Sequence, residues 1–223
     1  MKTLRLILPL VFICFLASAQ KKKWQNIFDG KTTNGWHTWK LNEVKGWHVM
    51  GGVLMTHGGN GDLVSDKEYG DYILEFEFKC APKGNSGVIY KVLENDEDKS
   101  LFATYASGPE FQIIDDENYP DKIKDSQKTG ANYDIEAPLN MNVVKPAGEW
   151  NKGKIVINNN QITHYLNGVK TATYEYGSAQ WVKDVAGSKF SKWPYATPHH
   201  RGKIALQDHG DMVSFRKIRI KEL

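Results

Sequence analysis

The chain has 223 residues, of which 29 are Lys or Arg and 26 are Asp or Glu, and its formal net charge is +3. So small a charge does not indicate a nucleic-acid-binding protein. A length of about 200 residues is sufficient for one all-β domain with a sizeable core.

The N-terminus has the pattern of a secretory signal. Lys2 and Arg5 precede an apolar run over residues 6–16, and Ala17-Ser18-Ala19 provides the small residues of a cleavage site. The run is shorter than the roughly 20 residues that span a bilayer, and no second hydrophobic span follows it. The sequence therefore predicts a signal peptide over residues 1–19, an exported protein in the periplasm or outside the cell, and a single domain over residues 20–223 with no membrane span.

Strands dominate the rest of the chain. From Tyr72 to Cys80, large apolar residues occupy every second position, which places one face of a strand in a core. A period of two also predicts strands over residues 46–49, 53–56, 87–92, 110–114, 141–145, 154–158, 161–166, 170–176, 202–207 and 213–221. Many short strands with little room for helices predict an all-β fold, an antiparallel β-sandwich.

The connections carry distinct signals. Asn158-Asn159-Asn160 and Asn167-Gly168 each separate two alternating runs, and both are predicted to be hairpin turns. The polar segment 115–140 is predicted to be a long loop. Residues 178–190 are predicted to form the one short helix, with an apolar stripe of Trp181, Val182, Val185 and Phe190.

Cys80 is the one cysteine that remains after the signal is removed, so no disulfide is expected within the mature chain. Because Cys80 ends the strand that alternates most clearly, we predict a buried structural thiol rather than a nucleophile. Stability must then come from packing.

The predicted strand 110–114 carries polar side chains on one face. Phe111 and Ile113 point inward together, so Glu110 and Gln112 share the opposite face. Asp115 follows directly at the end of the strand. This strand therefore places a carboxylate and an amide on one surface.

Two other predicted strands could add to this surface. In 202–207, Ile204 and Leu206 can pack inward, which leaves Gln207 and, beyond the strand, His209 on the other face. In 87–92, the phase of the alternation would place Lys91 on the polar face. If these strands lie in one sheet, their polar groups converge.

Carboxylates and amides bind sugar hydroxyls, and a carboxylate or an imidazole can transfer protons. The convergent groups would therefore suit a carbohydrate. Alternation by itself, however, favours a solvated outer face, because half of the residues of any sandwich strand face outward.

No metal site or other cofactor is predicted. The acidic run that begins at Asp115 lacks the spacing of an EF-hand, and His199-His200 lacks further ligands at zinc spacing. The sequence leaves open whether a divalent cation is needed.

Several motifs in a fixed order resemble the 3-keto-disaccharide hydrolase family, formerly a domain of unknown function, over nearly the whole mature chain. The motifs are Phe28-Asp29-Gly30-Lys31, Gly35-Trp36, Tyr69-Gly70-Asp71-Tyr72, Gly84-Asn85-Ser86-Gly87-Val88, Gly108-Pro109-Glu110-Phe111-Gln112-Ile113-Ile114-Asp115, Pro146-Ala147-Gly148-Glu149-Trp150-Asn151, Leu166-Asn167-Gly168, Ser188-Lys189-Phe190 and Leu206-Gln207-Asp208-His209-Gly210.

The resemblance implies a jelly roll of the concanavalin A-like lectin and glucanase type, with the ligand in the groove of the concave sheet. It also implies a glycosidase that acts on a sugar already oxidised at C3. In that reaction a base removes the acidified C2 hydrogen, the C1 substituent is expelled, and water adds back. A functional link to a sugar 3-oxidoreductase would follow.

For this chain the resemblance implies that Glu110 is the base and that His209 assists the leaving oxygen, although the sequence does not decide which of the two is base and which is acid. The residues expected to bind substrate are Lys91, Gln112, Asp115 and Gln207. Family members often have Arg at the position of Lys91, and only Arg offers a planar fork of donors. A non-catalytic glycan-binding module that uses the same groove is the alternative.

Overall fold

The computed structural model describes residues 22–223, so the predicted signal peptide lies outside the described residues. The chain forms two antiparallel sheets and one α-helix, as the predicted β-sandwich requires. The strands are Gln25–Asn26 (β1), Trp36–Thr38 (β2), Trp47–Met50 (β3), Val53–Thr56 (β4), Leu63–Ser65 (β5), Tyr72–Cys80 (β6), Asn85–Val92 (β7), Glu110–Ile114 (β8), Asn151–Asn158 (β9), Gln161–Leu166 (β10), Val169–Glu175 (β11), Lys203–Leu206 (β12) and Val213–Glu222 (β13).

The two sheets differ in size. The larger sheet has eight strands in the order β11-β10-β9-β6-β13-β4-β3, with β1 paired to β13. The smaller sheet has five strands in the order β2-β5-β12-β7-β8. Within residues 22–223, no helix combines the length and the apolar character needed to cross a bilayer.

The core fills the space between the sheets. Phe76 and Phe78 of β6 meet Phe111 of β8, with ring centroids 5.4 and 6.2 Å apart. Gly153 lies opposite Phe76, and a Cβ at Gly153 would come within 2.3 Å of the Phe76 ring. Cys80 is buried in the same core, where burial raises the pKa of its thiol to about 12. The predicted burial of this free thiol is confirmed.

Both predicted hairpin turns are confirmed. Asn159 and Asn160 join β9 to β10 with φ of 47° and 66°, and Asn167 and Gly168 join β10 to β11 with φ of 51° and 88°. Positive φ at both central residues matches the right-handed twist of the flanking strands. Asparagine and glycine tolerate this conformation better than other residues.

The strand predictions fail where a strand has only two or three residues, or where side chains hydrogen-bond to the backbone in place of a neighbouring strand. Residues 141–145 do not form a strand, since the Asn151 side chain binds both the N–H and the carbonyl of Lys145, at 2.8 and 3.2 Å. These bonds take the place of a ladder. Strands β1, β2 and β5 were not predicted because two or three residues are too few to show alternation.

The predicted helix over 178–190 is shorter in the structure. It spans Ala179–Ala186 (α1), and Ser178 caps its N-terminus by accepting a hydrogen bond from the Trp181 N–H. Two single 3₁₀ turns, Lys189–Lys192 and Pro194–Ala196, follow it. Trp181 and Val185 are buried as predicted, but Val182 is exposed.

The predicted long loop is confirmed in outline, since residues 115–140 contain one 3₁₀ turn, Asp125–Gln127, and otherwise irregular backbone. The loop runs back along β8, where the Tyr133 N–H donates to the Glu110 carbonyl at 3.1 Å. The loop thereby brings Tyr133 next to the polar face of the smaller sheet.

Candidate functional site

The predicted polar surface is the outward face of the smaller sheet at β12, β7 and β8. The register pairs Glu110 with Ile89 and Gln112 with Gly87. The N–H of Gln207, just after β12, donates to the Gly87 carbonyl at 2.9 Å. Glu110, Gln112 and Gln207 are therefore neighbours on one face, as the alternation predicted.

Gly87 determines where the Glu110 carboxyl group lies. A Cβ built on Gly87 would sit 1.9 Å from Glu110 Oε1. The carboxyl group thus lies across β7 in the space that any other residue would fill. A glycine in the middle of a strand here marks a close approach between a side chain and the backbone.

A cavity of about 210 Å³ lies over this part of the sheet, and we refer to it as the Glu110 cavity. Its walls come from the segment after α1, from the long loop and from the turn that contains Tyr105. The lining residues are Asn85, Tyr105, Glu110, Gln112, Tyr133, Lys189, Phe190, Trp193, Gln207 and His209. The structure thus brings together Glu110, Gln112, Gln207 and His209 of the predicted site residues.

Glu110 is only 5% exposed. Burial and, to a smaller extent, the Asp62 carboxylate raise the pKa of Glu110 to about 8, while the Lys189 ammonium acts in the opposite direction. The Gln112 amide nitrogen lies 3.0 Å from Glu110 Oε1 and 3.1 Å from the Ser86 carbonyl oxygen, in the amide orientation that lets it donate to both. Glu110 is therefore a positioned carboxyl group whose proton affinity suits proton transfer near neutral pH.

His209 lies at the mouth of the cavity and is exposed. Its loop is anchored by Asp208, whose carboxylate accepts the Gly59 N–H at 2.8 Å and the Asn60 N–H at 2.9 Å. Asp211 accepts the Asn85 N–H at 3.0 Å. The acids that flank His209 in sequence thus hold backbone groups, and the imidazole is presented at the entrance.

Aromatic side chains form one wall of the cavity. The Trp193 ring lies 5.4 Å from Phe190, 5.9 Å from Tyr105 and 5.1 Å from Phe102, measured between centroids. Phe102 is 51% exposed and extends this cluster outward from the cavity. Aromatic faces beside carboxylates and amides are suited to the apolar face of a sugar ring.

Sequence reasoning missed two charged residues that act on Glu110. Lys189 lines the cavity from the 3₁₀ turn after α1, and its presence in the Ser188-Lys189-Phe190 motif was the available signal. Asp62, just before β5, accepts hydrogen bonds from the Thr104 hydroxyl and, at 2.8 Å, from the Asp208 N–H. Burial raises the pKa of Asp62 as well. No pattern in the sequence marks Asp62, because it stands alone in a turn.

The placement predicted for Lys91 is wrong. Lys91 has a φ of 57°, and the pairing of β7 with β12 shifts register between Ile89 and Val92, so the alternation breaks. The Lys91 ammonium is buried away from the cavity and donates to the carbonyls of His199 and His200 at 3.1 and 2.8 Å. Burial lowers its pKa to about 8. Lys91 secures the segment before β12 and does not line the Glu110 cavity.

Asp115 also lies outside the cavity. Its carboxylate accepts backbone N–H groups from Lys83 at 2.8 Å, Asn118 at 3.1 Å and Glu117 at 3.3 Å. Burial acts to raise the pKa of Asp115, but these hydrogen bonds outweigh it and the pKa is lowered. Asp115 therefore stabilises the turns that flank β8 rather than the polar face.

A larger cavity, of about 640 Å³, lies over the outer face of the larger sheet. Of its three acids, Glu75 pairs with Arg219 at 2.6 Å and Glu77 with Lys217 at 3.0 Å, while Asp29 accepts the Lys31 and Thr32 N–H groups, both at 2.7 Å. It offers no buried acid comparable to Glu110. In residues 22–223, no group of three or more His, Cys, Asp or Glu side chains is arranged to hold a metal ion.

Comparison with known proteins agrees with the motifs. A protein from Bacteroides thetaiotaomicron named 3-keto-disaccharide hydrolase is 37% identical over an alignment that covers 88% of this chain and 77% of that protein. A crystal structure from Parabacteroides distasonis, designated a candidate glycosyl hydrolase, is 35% identical with a TM-score of 0.84 and covers 90% of this chain and 94% of that one.

More distant likeness concerns the fold alone. A β-glucanase from Bacillus licheniformis has a TM-score of 0.51 at 13% identity, with coverage of 92% and 99% of the two chains. This likeness confirms the predicted sandwich of the lectin and glucanase type. Residues 23–221 match the family described as the 3-keto-alpha-glucoside-1,2-lyase-like domain. The predicted resemblance is confirmed, and the chain belongs to this family.

Proposed function

We propose that this protein cleaves the glycosidic bond of 3-keto-glycosides in the Glu110 cavity, by removal of the C2 proton and elimination of the C1 substituent. The observation that carries the proposal is Glu110 itself. It is a buried carboxyl group with a pKa of about 8, fixed beside amides and open to a polar cavity with an aromatic wall. Family membership supports the same reaction class.

The chemistry requires a base more than it requires a strong acid. A carbonyl at C3 acidifies the hydrogen on C2, so a carboxylate can remove this proton and leave an enolate. The enolate expels the C1 oxygen, which takes up a proton, and a double bond forms between C1 and C2. Water then adds at C1 while a proton returns to C2. The products are the free 3-keto sugar and an alcohol, and no oxidant is consumed.

In this proposal Glu110 is the base. A carboxylate that burial has made more basic is a better acceptor for a C–H proton than an exposed one with an ordinary pKa. Gln112 holds one oxygen of Glu110 and so orients the other towards the substrate. Because Gly87 lacks a side chain, the base can lie flat across the sheet beneath the sugar ring.

Charge that develops on the C3 oxygen needs a cation or hydrogen-bond donors close by. Lys189 lines the cavity and takes the substrate-binding role that the resemblance had implied for Lys91. The amides of Gln207 and Asn85 are available to bind hydroxyl groups. His209 at the entrance protonates the leaving oxygen, which would point out of the cavity.

Assay of the Glu110→Gln variant with a 3-keto-disaccharide tests the proposal. The substitution keeps the size of the side chain and removes its basicity, so we expect turnover to fall by at least about 100-fold. The matched control is Glu75→Gln, which removes an acid from the outer face of the larger sheet and should leave turnover unchanged. Retained activity in Glu110→Gln would remove Glu110 from the role of base.

The same assay distinguishes an enzyme from a glycan-binding module. Wild-type protein is incubated with the 3-keto-disaccharide and, separately, with the unoxidised sugar. We expect release of the C1 alcohol from the oxidised sugar alone. Binding of both sugars without bond cleavage would instead support a lectin-like function.

A further inference from the structure

A second polar cavity lies at the opposite edge of the same sheet face. Register places one row of residues across the face: His37, Val64, Ala205, Ile89 and Glu110. Four inter-strand spacings separate the two ends of the row, which is about 19 Å. His37 and Glu110 thus mark two places on one surface.

The middle of this row is closed to a ligand. Val64, Ala205 and Ile89 are fully buried, and Trp39 and Tyr105 pack over them. The second cavity, which we call the His37 cavity, is therefore separate from the Glu110 cavity. Its volume of about 450 Å³ falls within the roughly 300–1,000 Å³ of small-molecule sites.

The floor of the His37 cavity is a preorganised polar network. His37 Nδ1 lies 2.6 Å from Asp66 Oδ1, and His37 Nε2 lies 2.8 Å from Glu94 Oε2. Glu94 also accepts hydrogen bonds from the Lys203 ammonium at 2.6 Å and the Lys40 N–H at 2.9 Å. Both imidazole nitrogens face carboxylates, so neither presents a lone pair to a metal ion.

The rim of the cavity offers groups with unused hydrogen-bonding capacity. Within residues 22–223, Asp66 Oδ2 accepts no hydrogen bond, and the Asp66 side chain is 58% exposed. Asn95 uses its carbonyl oxygen to accept the Glu97 N–H at 3.0 Å, which leaves its NH₂ group as a donor. Asn42 and Leu41 complete the rim with an amide and an apolar side chain.

These groups select the class of ligand. Asp66, Glu94 and Asp96 line the cavity together with Lys40, Lys203 and His37, so charges of the two signs nearly balance and the carboxylates disfavour an anion. A carboxylate oxygen next to amide donors suits neighbouring hydroxyl groups, which both donate and accept. We infer that the His37 cavity is a second carbohydrate-binding site, which takes a neutral, unoxidised saccharide.

The inference goes beyond the proposed function, since binding here needs neither a 3-keto group nor cleavage in the Glu110 cavity. A second saccharide site on the catalytic face would hold the protein on glycan that carries its substrate. Its effect would be on local substrate supply rather than on the chemical step.

Titration of isotope-labelled Glu110→Gln protein with maltose, cellobiose and trehalose, followed by NMR, tests the inference. We expect at least one sugar to give saturable shifts at the backbone amides of residues 36–42 and 94–96. Inorganic phosphate should give none there. Failure of all three sugars to saturate, or shifts confined to the Glu110 cavity, would overturn the inference.

The Asp66→Asn variant sharpens the test, because it retains an acceptor for His37 and replaces the free oxygen by a donor. We expect Kd for the sugar to rise by about tenfold, with unchanged kcat/KM for a soluble 3-keto-disaccharide in the wild-type background. Asp121→Asn, an exposed acid that lines neither cavity, is the control. Equal affinity in Asp66→Asn contradicts the site.

If Asp66→Asn lowers the melting temperature, Asn95→Ala provides an independent variant. It removes the amide donor and leaves both His37 contacts in place. The same loss of affinity is expected, and unchanged affinity would again count against the site. Turnover in the Glu110 cavity is a separate readout, so failure of one proposal is distinguishable from failure of the other.

Discussion

Glu110 and Lys91 are buried on adjacent strands of the smaller sheet, and burial brings the pKa of each to about 8 from opposite directions. Their surroundings differ. The Lys91 ammonium is enclosed by two backbone carbonyls and lies 5.1 Å from the centre of the Tyr176 ring. Glu110 has one amide partner and opens onto a cavity.

The difference shows that a shifted pKa does not by itself identify a site of chemistry. Structural groups and reactive groups can share the same shift, since both follow from burial. What distinguishes them is whether hydrogen-bonding capacity remains for a ligand. The Lys91 ammonium donates to two backbone carbonyls and packs against the Tyr176 ring, whereas Glu110 lines a cavity and its Oε2 accepts no hydrogen bond within residues 22–223.

After substitution of Glu110 itself, the largest expected effect on the Glu110 side of this comparison comes from Gly87→Ala. The added Cβ would lie 1.9 Å from Glu110 Oε1, so the carboxyl group must move. We expect kcat/KM for a 3-keto-disaccharide to fall by about 100-fold. Gly187→Ala, where a Cβ meets its nearest neighbour at 3.6 Å, is the control. Full activity in Gly87→Ala would mean that the exact position of Glu110 does not matter.

On the Lys91 side, the expected effect is on stability. Lys91→Ala leaves the carbonyls of His199 and His200 unpaired and a void beside Tyr176. We expect the free energy of unfolding to fall by about 2–4 kcal/mol, with kcat/KM of the folded protein unchanged. Denaturant titration and a 3-keto-disaccharide assay measure the two quantities, and exposed Lys170→Ala is the control. A loss of kcat/KM without a loss of stability would instead assign Lys91 a role in the reaction.

The pH dependence of the free energy of unfolding should distinguish Glu110 from Lys91. Either group by itself can contribute a slope of at most about 1.4 kcal/mol per pH unit. The pKa of Glu110 is raised from 4.5 to about 8. The contribution of the protonated carboxyl group to the free energy of unfolding is therefore complete below pH 4.5 and is lost as the pH rises through 8. The pKa of Lys91 is lowered from 10.5 to about 8. Burial of the charged ammonium therefore lowers the free energy of unfolding by its full amount below pH 8, and this loss is relieved as the pH rises towards 10.5.

Melting temperatures of wild type, Glu110→Gln and Lys91→Ala across pH 4–10.5 check this expectation. Relative to Glu110→Gln, the wild type should lose stability between about pH 4.5 and 8. Relative to Lys91→Ala, it should gain stability above about pH 8. Parallel curves for all three proteins would show that neither group titrates in the folded state as described.

The smallest expected effect is a shift in the pH profile of kcat/KM on substitution of Asp62, the acid that raises the pKa of Glu110. If Glu110 is the base, kcat/KM rises with pH to a plateau above about pH 8. Asp62→Asn removes a carboxylate that raises the pKa of Glu110, so the rising limb should move to lower pH, by about one unit or less. A rate that falls through the same range would identify Glu110 as the acid.

The alternation of apolar and polar residues predicted most of the strands and the two site residues of β8. Phe111 and Ile113 point into the core, and this alone places Glu110 and Gln112 on the outward face. The asparagine and glycine turns set the register of β9, β10 and β11. These features are local, because period and turn chemistry involve only neighbours in the chain.

Other features depend on contacts that sequence distance hides. Lys91 does not lie on the predicted polar face, because a register shift interrupts the pairing of β7 with β12. The alternation of residues along the sequence does not reveal such a bulge. Lys189 and Asp62 act on Glu110 from segments 79 and 48 residues away along the chain. Only packing of the segment after α1 and of the turn before β5 against the smaller sheet brings them together.

The sequence by itself predicted an antiparallel sandwich in which Glu110 and Gln112 share one face of a strand, and in which Gln207 and His209 share one face of another strand and of the residues beyond it. It did so because strand periodicity and ordered motifs are properties of the chain read locally. The tertiary structure alone decided that these four residues share one cavity with Lys189, that Lys91 and Asp115 lie outside it, and that burial brings the pKa of Glu110 to about 8. Burial and charge proximity are properties of the packed molecule, and they exist only once distant segments meet.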